Sequence, residues 1–131
     1  GGGEPTVRSD FWELVDYATE HQVGVKFSTN GVRIDKKVAA RLAASDYVDV
    51  QISLDGATAE VNDAVRGPGS YDTAIKALSN LSAAGFKDAK LSVVATRHNI
   101  AQLLLAVNEL ASCCLQGNDM LKTYLLKEEP K

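Results

Sequence analysis

The sequence predicts an α/β fold in which parallel strands alternate with helices, as in an incomplete TIM-like (β/α) barrel. Apolar residues recur at helical spacing in four segments and gather in alternating or β-branched runs in three others. The two kinds of segment take turns along the chain, which implies parallel strands joined by right-handed crossovers. The connections between them are short, as α/β units prefer.

Asp10 is placed to cap the first helix, with Glu13 three residues on as its capping-box partner. Phe11, Leu14, Val15 and Ala18 then form one apolar stripe. Residues 23–27 read as a strand in which Val23, Val25 and Phe27 alternate with Gly24 and Lys26. Asp35 caps the next helix, whose inward face is Val38, Ala39, Leu42 and Ala43. Residues 47–54 make a second strand rich in β-branched side chains. Ser70 or Asp72 starts a third helix with Ile75, Leu78 and Leu81 inward, and Gly85 ends it. Residues 90–95 form a third strand, and Asn99 caps a fourth helix running to about Leu115. Residues 120–126 could add another strand, with residues 127–131 frayed. Three strands are few for a closed barrel and leave sheet edges open. The chain begins with Gly1 rather than Met and opens on a glycine turn, so the expectation is an excised segment.

Bulk properties narrow the function classes. The 131 residues suit one domain or part of one. Hydrophobic residues are 45% and charged residues 24%, a balance that argues against disorder. The net charge is −3 with both signs interspersed, so no basic stripe points to nucleic acid. No apolar run approaches the roughly 20 residues that span a bilayer, so no membrane partner is expected. No signal-peptide pattern is present, which suggests the cytoplasm. Cys113 and Cys114 are the only cysteines; adjacent thiols make a poor disulfide and no metal motif, and they fit a reducing compartment.

In parallel α/β folds, ligands bind at the carboxyl ends of strands. Four polar clusters fall at such ends or at an equivalent turn. They are Gly2-Gly3-Glu4-Pro5, then Ser28-Thr29-Asn30-Gly31, then Ser53 with Asp55-Gly56, and finally Thr96-Arg97-His98-Asn99. Each alone reads more readily as an ordinary turn than as a site, since Asn-Gly and Asp-Gly are common turn pairs. Converging on one rim, they have the layout of a small polar ligand site. His98 has no partners for a metal and reads as a rim residue. His21 sits at a helix end, solvated or favourable to the helix dipole.

The order of these clusters, with Ser53-Leu54-Asp55-Gly56 followed by Asn62-Asp63 and Arg66-Gly67, resembles the radical S-adenosylmethionine superfamily. Within it the likeness is to peptide-modifying maturases that carry a C-terminal extra-cluster (SPASM) domain, and most of all to the mycofactocin type, similar to the pyrroloquinoline quinone synthesis enzymes. It runs from Gly1 to about Leu103. The fold it implies is a partial radical S-adenosylmethionine barrel over residues 1–115, with a divergent tail over residues 116–131. The stretch from residue 113 to 131 does not resemble the family, and residues 101–107 are more apolar than an outer barrel helix should be.

The resemblance implies S-adenosylmethionine and a [4Fe–4S] cluster as cofactors. The carbonyls of Gly2 and Gly3 and the carboxylate of Glu4 would accept from the cofactor's ammonium, with Pro5 fixing the turn. A cloning scar or a phosphate loop is the other reading of the glycines; a carboxylate beside them speaks against both. Ser53 would donate to the cofactor's carboxylate or ribose. Arg66 would pair with the carboxylate, or else anchor the turn at Gly67-Pro68-Gly69. Thr29 and Asn30 would line the cavity. Asp55 would accept from a ribose hydroxyl or a substrate group, or cap the turn at Gly56. The family holds its cluster by three cysteines in a C-x3-C-x2-C loop, which this sequence lacks. The implied partners are a small precursor peptide and its chaperone-like binding protein. The function expected is the cofactor-binding portion of a radical peptide maturase acting by oxidative decarboxylation and cross-linking of a peptide C-terminus. A non-catalytic cofactor- or peptide-binding module, or the remnant of a degenerated gene, stands as the alternative.

Overall fold

A computed structural model describes residues 3–87, 89–103 and 123–125. Its sheet has four parallel strands in sequence order: β1 (Val25–Thr29), β2 (Val48–Ser53), β3 (Ala89–Val93) and β4 (Thr123–Leu125). The helices between them are α1 (Phe11–Glu20) before β1, α2 (Lys36–Ala43) between β1 and β2, and α3 (Ala59–Arg66) and α4 (Ser70–Ala83) between β2 and β3. Short 3-10 turns cover Pro5–Val7 and Ile100–Gln102. This is the open, parallel, helix-alternating architecture of a partial (β/α) barrel. β4 realises the strand expected near residues 120–126.

The register gives the sheet two unlike faces. Val25 aligns with Val48, Phe27 with Val50, and Thr29 with Ile52; Val50 and Ile52 align in turn with Ala89 and Leu91. Aligned residues of parallel strands share a face, so these form one nearly continuous apolar surface. Phe11 and Val15 of α1, Ala39 and Leu42 of α2, and Ala74, Ala77, Leu78 and Leu81 of α4 join it in the core. The alternate positions are polar. Ser28 donates to Gln51 at 3.1 Å, and Lys90 pairs with Asp49 at 2.7 Å.

Three expectations about local structure are corrected. Val23 does not enter β1. Its amide bonds back to the Ala18 carbonyl at 2.9 Å, and the Gln22 amide bonds to Thr19 at 3.0 Å. This pair of bonds is a Schellman stop with Gln22 in the left-handed region at φ 59°. The chain is free to extend only from Val25. α4 ends on the same two bonds, Phe86 to Leu81 and Gly85 to Ser82, with Gly85 at φ 76° as expected. Second, Asp10 precedes α1 but makes no side-chain cap, because its carboxylate is engaged by Arg8. Leu14 is exposed rather than part of the stripe. Trp12 takes up that packing, half-buried against the core with the Arg41 guanidinium 4.2 Å over its ring. Third, α3 stands where the sequence pattern shows no helix. Thr58 caps it by accepting from the Val61 amide, Glu60 lies in its first turn and Arg66 in its last. Of the helix expected after Asn99, only the turn to Leu103 falls among the described residues; the remainder, with Cys113 and Cys114, lies outside them.

The two helix stops make a reciprocal prediction. Replacing Gln22 by Gly relieves a left-handed side chain and should raise stability by about 0.5–1 kcal/mol, while Gly85→Gln should lower it by a similar amount. Urea unfolding measures both; equal midpoints for Gln22→Gly and the wild-type chain would mean that Gln22 carries no strain.

Candidate functional site at the carboxyl edge of the sheet

All strands end on the same edge, and two sets of side chains tie the turns there together. Glu4 joins the first turn to the second. One of its oxygens accepts from the hydroxyls of Thr6 and Thr29, and the other accepts from the Asn30 amide at 2.7 Å. Burial opposes ionisation of Glu4, but the bonds from Thr29, Thr6 and Asn30 outweigh it and hold the carboxyl below its ordinary value of 4.5. Thr29 is itself buried and accepts from the Gly31 amide at 3.1 Å. Gly31 is at φ 87°, and a Cβ there would meet the Ala77 Cβ at 2.7 Å, so only glycine lets this turn lie against α4.

Asp55 joins the third turn to the fourth. Its amide donates to Asn62 Oδ1 of α3 at 2.7 Å, and its carbonyl accepts from Asn99 Nδ2 at 2.7 Å. Its carboxylate accepts from the Val94 amide at 2.9 Å and from Arg66 Nε at 2.6 Å. Asn99 also donates to the Val94 carbonyl at 2.8 Å and accepts from the Thr96 amide at 2.7 Å. It therefore binds the ends of β2 and β3 together instead of capping a helix through its side chain. Asn62 Nδ2 donates to Ser70 Oγ at 2.9 Å, linking α3 to α4. Asp63 supplies the cap that Gly69 lacks at the start of α4, accepting from the amides of Tyr71 and Gly69 and from the Ser70 hydroxyl. Those bonds, the Tyr71 amide first, hold the Asp63 carboxyl below its ordinary value.

Between the second and third turns lies a cavity of about 480 Å³, within the range of roughly 300–1,000 Å³ usual for small-ligand sites. Asn30, Ser53, Asp55, Arg66, Ser70 and Thr73 form its polar lining, and Val32, Val65 and Pro68 its apolar rim. Asp55 has only 3% of its side chain exposed against 28% for Arg66, so the guanidinium is the charged group that a ligand meets. Among the described residues Arg66 spends only Nε, leaving its two Nη groups for a planar acceptor.

The structure brings Asn30, Ser53, Asp55 and Arg66 to one cavity. It places Thr29 elsewhere: the hydroxyl lies on the helix-packed side, occupied by Glu4, and does not line the cavity. Glu4 is a brace over the end of β1, where it reaches Thr29, while Ser53 alternates with core residues and belongs to the polar face. Asn30 connects them, its amide holding Glu4 while the residue lines the cavity. Gly3 is exposed at φ 104°, Pro5 opens the 3-10 turn, and Gly2 lies outside the described residues. His98 is exposed, and His21 Nδ1 meets the Tyr17 carbonyl at 2.7 Å at the end of α1. Among the described residues no cluster of three or more His, Cys, Asp or Glu could hold a metal, and no helix is long and apolar enough to cross a membrane. The sequence reading missed Asn62 and Asn99 as the supports of Asp55. The signal for the α3 half was present in Thr58, Glu60, Arg66 and Gly67, a full set of helix start and stop residues.

A parallel sheet alternating with helices, its polar turns gathered at the carboxyl edge, is the architecture of a partial (β/α) barrel, and the model of the radical SAM superfamily matches residues 1–106. The chain belongs to that superfamily. It is 81% identical over 103 residues to the mycofactocin maturase MftC of Mycobacterium ulcerans, an alignment covering 79% of this chain and 28% of that protein's length. Among solved structures, Streptococcus suis SuiB bound to S-adenosylmethionine superposes with a TM-score of 0.75 at 24% identity, covering 98% of this chain and 29% of SuiB. SuiB bound to its precursor peptide SuiA gives a TM-score of 0.73 at 25% identity, covering 85% of this chain and 25% of SuiB.

The Glu4 brace has a pH signature. Its folded value lies below 4.5, so the stabilisation it gives is present above that value and lost as pH falls through the lower folded one. Glu4→Ala removes the acceptor of the Asn30 amide. Hydrogen exchange at Asn30 should therefore be faster in the variant near pH 7, and the difference should shrink as pH falls through the lowered folded value. Equal protection at neutral pH would show that the brace is not formed.

Proposed function

We propose that this chain supplies the S-adenosylmethionine-binding portion of a mycofactocin-type radical peptide maturase. In the whole protein the reaction would be oxidative decarboxylation of a C-terminal tyrosine in a small precursor peptide, followed by its cross-linking. The observation that carries the reading is the Arg66 guanidinium, held by Asp55 at the wall of a polar cavity with Ser53 and Asn30 beside it. That donor set fits the carboxylate and hydroxyls of the cofactor. Arg66 would take the carboxylate and Ser53 the carboxylate or ribose, with Asn30 lining the same wall. Gly2, Gly3 and Glu4 would accept from the ammonium; Glu4 still has accepting capacity on the oxygen that Asn30 holds. Pro5 would fix that turn. Thr29 would contribute through Glu4, and Asp55 through Arg66.

The similarity to MftC supports the maturase reading, and the SuiA complex of SuiB supports a peptide partner. A chaperone-like binding protein and a cytoplasmic setting complete the proposal; adjacent cysteines suited to a reducing compartment support the latter. Residues 1–115 would belong to the radical core, with 116–131 as a diverging end that contributes β4 to the sheet.

The residues of this chain do not fit the [4Fe–4S] cluster. Three thiolates are needed, and the two cysteines, Cys113 and Cys114, are adjacent. That donor count favours a second reading for the chain by itself, a binding module for the cofactor or peptide without turnover.

Calorimetric titration with S-adenosylmethionine tests the proposal. Binding is expected, and Arg66→Ala should weaken it about tenfold or more, as for loss of a charge-assisted bond. No heat at millimolar ligand would reject it. Iron and sulfide reconstitution of the chain should leave no charge-transfer band near about 400 nm; a stable four-iron spectrum would overturn the account of its ligands.

A further inference from the structure

Asn62 and Asn99 are fully buried, and neither lines the cavity. We propose that both are positioning residues which act through Asp55 to fix the Arg66 guanidinium for a ligand carboxylate, and that Asp55 itself touches no ligand. The proposal deepens the reading of Arg66 given above and rests on it.

The geometry leaves Asp55 no freedom. Its amide is held by Asn62, its carbonyl by Asn99, and one carboxylate oxygen by the Val94 amide. Only the second carboxylate oxygen is left for Arg66 Nε. With the side chain 3% exposed, Asp55 is poorly placed to accept from a ribose hydroxyl. Arg66 depends on it more than the reverse. The arginine stands in the last turn of a short helix, on a long side chain with many rotamers, and Nε is its only anchor among the described residues. Fixing that side chain before the ligand arrives removes an ordering cost that binding would otherwise bear. Asn62 adds a second restraint by tying α3, on which Arg66 stands, to Ser70 of α4.

Two ligands separate action through Arg66 from direct contact. S-Adenosylmethionine carries the carboxylate; methylthioadenosine keeps the adenine and ribose but lacks it. Asp55→Asn preserves the shape and can still accept from the Val94 amide. It and Asn99→Ala should each weaken S-adenosylmethionine about tenfold while leaving methylthioadenosine within about twofold. Equal losses for both ligands would overturn the proposal, because they would mean ribose contact or general loosening. A ligand-free measurement stands beside this. Exchange of the Arg66 Nε–H with water, followed by nitrogen-15 NMR, should quicken about tenfold in Asn62→Ala and Asn99→Ala, with the Ile52 and Leu91 amides unchanged. Unchanged Arg66 exchange would overturn the proposal whatever the ligands do. If the wild-type chain binds no S-adenosylmethionine, the functional reading fails while the exchange data still decide whether Asn62 and Asn99 hold Arg66. Should an asparagine variant fail to fold, Asp55→Asn decides by the same two readouts.

Discussion

A carboxylate removed almost wholly from water must be answered from within the protein, and Asp55 is answered on every side. An isolated buried charge is prohibitively costly, and a lone ion pair seldom offsets its own desolvation. Asp55 escapes that penalty because its carboxylate has a backbone donor from the end of β3 as well as the Arg66 guanidinium. The bonds made by its amide and carbonyl then set the direction in which the carboxylate points. The turn after β2, the loop after β3 and the end of α3 thereby become one rigid body. A cavity wall built from separate surface loops would lack that stiffness.

The two unlike faces of the sheet explain why the rigid body sits where it does. Helices seal the apolar face, so chain returning from each strand end must cross that edge to reach them. At the crossing, backbone groups leave the ladder and need other partners. Glu4, Asp55 and Asn99 provide those partners for the Asn30, Val94 and Thr96 amides. The residues that satisfy the backbone are therefore the ones that bring the turns together. Support and cavity wall grow from one requirement, and Gly31 lets the second turn settle onto α4.

Strand and helix order was legible in the sequence because alternation and helical spacing reflect burial directly. Val50, Ile52, Leu78 and Leu81 are core residues for the reason their pattern suggests. What stayed hidden was partner choice. An asparagine before a helical run reads as a cap, and nothing in Asn99 itself says that its amide will reach Asp55, 44 residues earlier. Glu4 looks like an open acceptor until Thr29 and Asn30 come beside it. α3 escapes a reading by pattern because its buried residue is Asn62, so it lacks the apolar stripe by which a helix is usually found. Val23 shows the opposite failure: its β-branched side chain favours a strand, yet its amide is already committed to the end of α1.

The ties that hold the proposed site run between Glu4 and Asn99, inside the 1–106 segment that matches the superfamily. Among the described residues these ties use no thiolate and no residue beyond Asn99. Holding the Arg66 guanidinium is thus a matter of one buried carboxylate and two buried asparagines, all within these residues. The support of Arg66 is written into the turns themselves, because the bonds that satisfy the backbone at the strand ends are the same bonds that aim the Asp55 carboxylate.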